Sequence, residues 1–215
     1  MKKTLISILF GLFAFSQVAA AAGVNVGASG TMGLFAASGK EVTSDNTRKG
    51  TEHGAASYAT VFIEGQINDR FAIGVEYVPE ALATDEVETV KRDKTTSATA
   101  AVVENKVKLE FEDMTTAYVN IGLTENTYVR AGLITMDVNT KEDLGTGSSY
   151  GNTSMDGQVF GFGFNNTFGE GFFMRAEANY MTFDSVSLKS SQGDHTVTMS
   201  NLDGVTAGVK IGKSF

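Results

Sequence analysis

His195 is the one place in this chain where a base, an acid and hydroxyls come close together in sequence. Ser191 and Asp194 precede it and Ser200 follows. Such a set could serve a hydrolase working at a lipid boundary, provided the fold aims the base at its nucleophile. Nothing in the spacing fixes that aim, and a solvated loop histidine is the plainer reading for both His195 and His53. With no cysteine and two histidines, no pair has metal-ligand spacing. Asp45-Asn46 and Glu142-Asp143 could hold a divalent cation weakly, but neither has the spaced acids of a calcium loop. Gly161-Phe-Gly163 lacks the third glycine of a dinucleotide fingerprint; glycine on an inward face more simply relieves crowding. No catalytic, metal or cofactor residue is expected, and the chain is not read as an enzyme.

The residues that do form a pattern are charged ones on alternating strands. Glu64, Glu76, Glu110, Glu112 and Glu177 share a minority face with Lys108, Arg130, Arg175 and Lys210, opposite a face of Val, Ile, Phe and Ala. A strand with one oily and one polar face lies between two different solvents. Turning the charges toward lipid would cost about 2–4 kcal/mol for each Arg or Lys at the midplane. Five acids and four bases in one narrow lumen can instead pair with each other. They are therefore expected inside a barrel, with Arg130, Arg175 and Lys210 set against Glu64, Glu76 and Glu177.

Eight strands carry these faces. They are read at Val24–Ala37, Tyr58–Ile67, Phe71–Val78, Val107–Leu123, Thr127–Asp137, Gly157–Asn166, Phe172–Asp184 and Val205–Phe215. In the fourth, Val107, Leu109 and Phe111 are placed on the outward face with Ala117, Val119 and Ile121. Short turns at Asn68-Asp69-Arg70, Thr124-Glu125-Asn126 and Thr167–Gly171 alternate with long polar connections at about 38–57, 79–106, 138–156 and 185–201. Membrane barrels have this alternation of short periplasmic turns and long extracellular loops. In the last long segment Val186 and Leu188 keep the register of Tyr180, and Val197 and Met199 that of Val205. A ribbon turning near Ser191-Gln192-Gly193-Asp194 is expected there.

The ends suggest the compartment. Met1-Lys2-Lys3, an apolar run from Thr4 to Phe15 and small residues to Ala20 read as a secretory signal peptide over 1–20, cleaved after Ala20. Residues 21–215 then form one barrel domain. The chain has 24 Gly, one Pro and no Trp, and a formal charge of −8. Loss of Lys2 and Lys3 with the leader leaves about −10, which disfavours nucleic acid as a partner. The last strand alternates strictly and ends on Phe215, as expected where a closing strand must leave no free edge.

Gly161-Phe-Gly-Phe-Asn165, a short turn and Met174-Arg-Ala-Glu-Ala-Asn-Tyr180 resemble a strand pair of OmpA-like small outer-membrane β-barrels. Tyr128-Val-Arg-Ala-Gly132 and the final strand are similar to the same family. The resemblance covers about a third of the mature chain. It implies an all-β, eight-stranded antiparallel up-and-down transmembrane β-barrel, inserted by the outer-membrane barrel assembly machinery through a terminal signal that includes Val209, Ile211 and Phe215. Lys213 stands where that signal usually has an aromatic, and no peptidoglycan-binding domain follows, so wall tethering is not carried over.

The expected role is a structural outer-membrane protein that supports a Gram-negative-type envelope and displays loops. A narrow gated pore or small-solute binder is the second reading, and an adhesin or phage receptor the third. Lipid and lipopolysaccharide are the expected surroundings, with loop acids bridging cations between lipopolysaccharide phosphates. A monomer without cofactor is expected.

Overall fold

The computed structural model describes residues 23–42, 47–94, 100–191 and 195–215. The leader, its cleavage point at Ala20, Asp45-Asn46 and Gln192–Asp194 lie outside these. The strands are β1 Val24–Val42, β2 Thr47–Gln66, β3 Phe71–Tyr77, β4 Leu82–Ala83, β5 Val87–Lys94, β6 Ala100–Gly122, β7 Thr127–Leu144, β8 Thr153–Phe168, β9 Phe172–Phe183, β10 Val186–Lys189 and β11 Thr196–Ser214. Eight of them, β1, β2, β3, β6, β7, β8, β9 and β11, follow one another antiparallel round a sheet, and β1 pairs with β11 to close it. The closed wall is an up-and-down barrel. β4, β5 and β10 are short additions that pair with β6 and β11 beyond the main wall.

The three short turns are built by side chains and glycine. Asn68 Oδ1 accepts the amides of Arg70 (2.9 Å) and Phe71 (3.0 Å). Thr124 Oγ1 accepts those of Asn126 and Thr127. Gly169 and Gly171 both take positive φ, which costs glycine nothing. At the other end the polar connections are mostly strand rather than loop. β1 and β2 stay paired out to Val42 and Thr47, and β6 and β7 out to Asn105 and Leu144. Long ribbons therefore rise beyond the barrel.

The outer wall is apolar. Val26, Met32, Leu34, Val61, Ile63, Leu133, Phe160, Phe162, Phe164, Met174, Val205, Val209 and Ile211 are all exposed on it. The belt stops at Thr115, Thr135 and Asp203, where outward positions become polar. It has the pattern of a transmembrane barrel, apolar outside with charge in the bore.

The bore holds two tiers. Toward the turns it is ionic. Toward the ribbons it is apolar: Tyr58, Val78, Met114, Ile134, Met136, Val138, Met155, Val159, Met181 and Phe183 form one buried cluster. The second tier went unforeseen because Ile134, Met136 and Val138 keep the inward parity of Arg130. The inward face of β7 changes from charged to oily part-way along.

Two bulges correct the expected faces. Asp113 takes φ 54°, and β6 slips by one residue against β7 between Glu112 and Thr115. A slip of one turns every later side chain to the other face. Leu109 and Phe111, expected outside, thus pack against the bore cluster, and Lys108, Glu110 and Glu112 point outward instead of into the lumen. Asn201, at φ 51°, does the same to β11. Met199 packs inward rather than following Val205, and Val186 does likewise after the break between β9 and β10.

The wall also has an unzipped seam. β2 pairs with β3 from Val61↔Tyr77 downward. Continuing that register would set Ala59 against Pro79, which has no amide to donate. Above this point, among the described residues, Thr47–Thr60 ladder only with β1, and β5 only with β6.

Candidate functional site: the ionic bore

Six charged side chains from five strands meet in the lower tier, and three are acids and three bases. β2 supplies Glu64, β3 Glu76, β7 Arg130, β9 Arg175 and Glu177, and β11 Lys210; all are 1–9% exposed. Arg175 grips Glu64 with both terminal nitrogens, at 2.9 and 2.8 Å. Asn25 and Asn120 also donate to Glu64, each at 2.8 Å, and Tyr118 at 3.3 Å. Arg130 bridges Glu76 and Glu177, reaching Glu177 at 2.8 Å. Lys210 Nζ lies 2.5 Å from Glu76 and 3.2 Å from Glu177. Thr60 donates to Glu76 at 2.7 Å, and Tyr128 donates to Glu177. The guanidinium of Arg130 lies 3.8 Å from the ring centre of Tyr118, and that of Arg175 4.5 Å from Phe173, each adding cation–π attraction.

β8 contributes room. A Cβ at Gly163 would overlap the Tyr128 ring, and one at Gly161 would overlap the Asn179 amide. Glycine there lets Tyr128 lie across the wall and reach Glu177.

Neutral overall and braced across strands, this tier offers no free charge to a solute. Buried charge is tolerated only when so paired. On the turn side it floors a vestibule of about 190 Å³ lined by Asn25, Gln66, Asn165 and Arg175 among others. On the ribbon side it meets a void of about 20 Å³ under the apolar tier, room for about one water. Among the described residues, buried side chains of the two tiers fill the bore on either side of that void.

Glu110 belongs elsewhere. It lies 3.5 Å from Lys108 and 3.4 Å from Lys141 on the outer face of a ribbon, and Asn139 donates to Glu112 at 2.6 Å. Further up, Lys106 lies 3.0 Å from Glu104. Its hydrogen bond holds that carboxyl below the usual range, and the same bond raises the lysine. His195 lies on the last ribbon with Nδ1 3.7 Å from Glu41, and its backbone amide donates to the Ser190 hydroxyl at 3.3 Å. Ser200 is paired in the ladder opposite Ser38. Among the described residues, these His195 contacts run to Glu41 and Ser190. Among the same residues no three His, Cys, Asp or Glu side chains are placed to hold a metal.

Val209 and Ile211 face outward on β11 beside β1, as does Phe215, 72% exposed. Asn25, Tyr118, Tyr128 and Asn179 were missed as members of the site. Their one signal was parity: Tyr128 and Asn179 lie two residues from Arg130 and Glu177, Asn25 faces Glu64, and Tyr118 faces Gly74, two residues from Glu76.

No protein-family model matches the chain, and no curated protein does. Solved structures of similar outline exist. The outer membrane protein OprG from Pseudomonas aeruginosa is 14% identical, covers 88% of this chain and 96% of its own, and gives a TM-score of 0.46. The outer membrane protease OmpT from Escherichia coli is 6% identical over 90% and 97%, with a TM-score of 0.46. Neisserial surface protein A is 15% identical over 86% and 98%, with a TM-score of 0.34.

Proposed function

We propose that this chain is a structural β-barrel of a Gram-negative-type outer membrane, similar to the OmpA-like small barrels, which braces the envelope and carries ribbons outward. The observation that carries the reading is the doubly closed bore, ionic below and apolar above. An eight-stranded bore is just wide enough for side chains to fill, and here they fill it. The gated-pore reading would need both tiers to part. The apolar belt supports residence in lipid, with lipopolysaccharide around the ribbon end. Val209, Ile211 and Phe215 present an apolar edge that suits recognition by the barrel assembly machinery. A planar-bilayer recording tests the reading: the folded protein should give no sustained ohmic current. Steady open-channel current would overturn it in favour of a pore.

One feature favours surface contact as an added role. Residues 47–55 of β2 are exposed on both faces, so the β1–β2 ribbon supports nothing beneath it. Replacing residues 40–50 by a short Gly-Ser turn should leave folding intact and lower attachment of cells or phage. Unchanged attachment would remove this role.

A further inference from the structure

The outer face of the ribbon end is charged unevenly. On the β6–β7 ribbon, outward lysines meet acids: Lys108 and Lys141 both reach Glu110, and Lys106 reaches Glu104. Across β10, β11, β1 and β2 the outward positions differ. One rung sets Ser187, Thr198, Lys40 and Lys49 side by side, and the rung above sets Lys189, Thr196, Val42 and Thr47. Below them come Ser200, Ser38 and Thr51, then Asp203, Ala36 and His53. The Ser187 and Thr198 hydroxyls lie 2.8 Å apart, so these strands turn the same face outward. Glu41, Arg48 and Glu52 have the opposite parity and point inward. The chain has 25 acids and 17 bases. Yet among the described residues of these rungs, three lysines and a histidine stand against one acid, Asp203. That carboxylate already accepts the Tyr180 hydroxyl.

Lys40 stands directly opposite Lys49, which puts their Cα atoms about 5 Å apart. Like charges so placed repel, and an anion between them removes that cost. Short hydroxyl side chains, Ser38, Thr51 and Thr198, surround the pair and can donate to the same anion. Directly beneath, a groove of about 510 Å³ runs into the apolar belt, lined by Leu34, Ala36, Ala55, Tyr180 and Val205 with His53 and Asp203 on its upper rung. We propose that this strip binds one phosphorylated lipid of the outer leaflet, its phosphate between Lys40 and Lys49 and an acyl chain in the groove. Lys189 adds positive potential from two strands away. The proposal rests on the outer-membrane reading above and gives the barrel one preferred lipid at one place on its rim. The height fits. Four residues carry the chain from Lys49 to His53, about 13 Å along a strand, and barrel tilt reduces the rise to about 10 Å. The headgroup layer is about 5–8 Å deep, and a lysine stem bends back to it. Ammonium groups hold phosphate as point charges. Salt screens that attraction at an exposed site, so the groove, which only a lipid fills, supplies the remaining affinity through apolar burial.

The test titrates the detergent-folded protein with bisphosphorylated lipid A, with the same lipid stripped of its phosphates, and with inorganic phosphate, read by native mass spectrometry. The phosphorylated lipid should saturate at one per barrel, and the stripped lipid should bind at least tenfold more weakly. Inorganic phosphate at millimolar concentration should not displace the lipid. Joint Lys40→Gln and Lys49→Gln should weaken binding at least tenfold, and Ala55→Phe, which fills the groove, should weaken it as well. Joint Lys108→Gln and Lys141→Gln on the other ribbon should change nothing. Equal binding of the stripped lipid, displacement by inorganic phosphate, or wild-type affinity in the Lys40 and Lys49 variant overturns the proposal. None of these results touches the bilayer recording, so the structural reading stands or falls separately. If a variant fails to show heat-modifiable migration, the comparison of the two lipids on the wild-type protein decides.

Discussion

Arg175 shows how much one side chain can carry in a closed bore. Its guanidinium satisfies both oxygens of Glu64 and also donates to Asn165 at 3.2 Å. Arg175→Ala would leave Glu64 buried with only Asn25, Asn120 and Tyr118 to hold it. Breaking a buried pair on one side costs about 3–5 kcal/mol, so the variant should unfold at markedly lower urea in detergent. Joint replacement of Arg175 and Glu64 by Met and Gln should recover much of that loss, and a double-mutant cycle reads it directly. Glu110→Ala is the contrast. Its two lysine contacts are partly exposed, at 3.4 and 3.5 Å, and such pairs contribute about 0–1 kcal/mol. Its unfolding midpoint should match wild type within error. A midpoint for Glu110→Ala as low as that for Arg175→Ala would return Glu110 to the lumen and undo the bulge assignment.

At the scale of the strand, the two bulges decide which residues see the bore. Asp113 is held in its left-handed conformation by neighbours: Tyr77 donates to its carboxylate at 2.9 Å and the Thr115 hydroxyl to its carbonyl at 3.1 Å. Asp113→Gly should keep the barrel, since glycine adopts positive φ freely. Deleting Asp113 should not be tolerated. The slip would drive Lys108 and Glu110 inward among Met136 and Val138 and turn Leu109 and Phe111 out. Loss of heat-modifiable migration in the deletion but not the substitution is the expected result. The same residue explains what was legible in the sequence. Alternation alone located eight wall strands and the three tight turns, because a period of two survives wherever one face meets lipid. It failed above Asp113 and Asn201, where one extra residue inverts the period without any glycine or proline to mark it. It also passed over the apolar tier, because Met136 and Val138 look outward-facing by composition and inward-facing only by count. Composition took every ribbon but the last for a loop: Ser, Thr, Lys and Glu suit a solvated two-stranded ladder as well as they suit coil.

For the whole molecule, lipid outside and a sealed bore inside leave insertion as the step most open to mutation. Phe215 is 72% exposed on the outer side and takes no part in the ionic tier. Phe215→Ala should therefore lower outer-membrane levels severalfold in cells while shifting the detergent unfolding midpoint little. Equal levels would remove Phe215 from the proposed assembly signal. The bore predicts the converse behaviour for Lys210→Ala, with normal delivery and reduced stability, because Glu76 and Glu177 both lose a cation at once.

The interrupted pairing between β2 and β3 has a mechanical meaning. A complete tube resists torsion far better than one slit along its length. The lower part of this protein is a complete hoop, and the part beyond Pro79 is slit. Twisting motion should therefore concentrate at the ribbon end, in the amides of residues 47–60, while those of residues 61–66 stay quiet. A thermal jolt or a passing molecule at the cell surface would flex that collar without straining the hoop anchored beneath it.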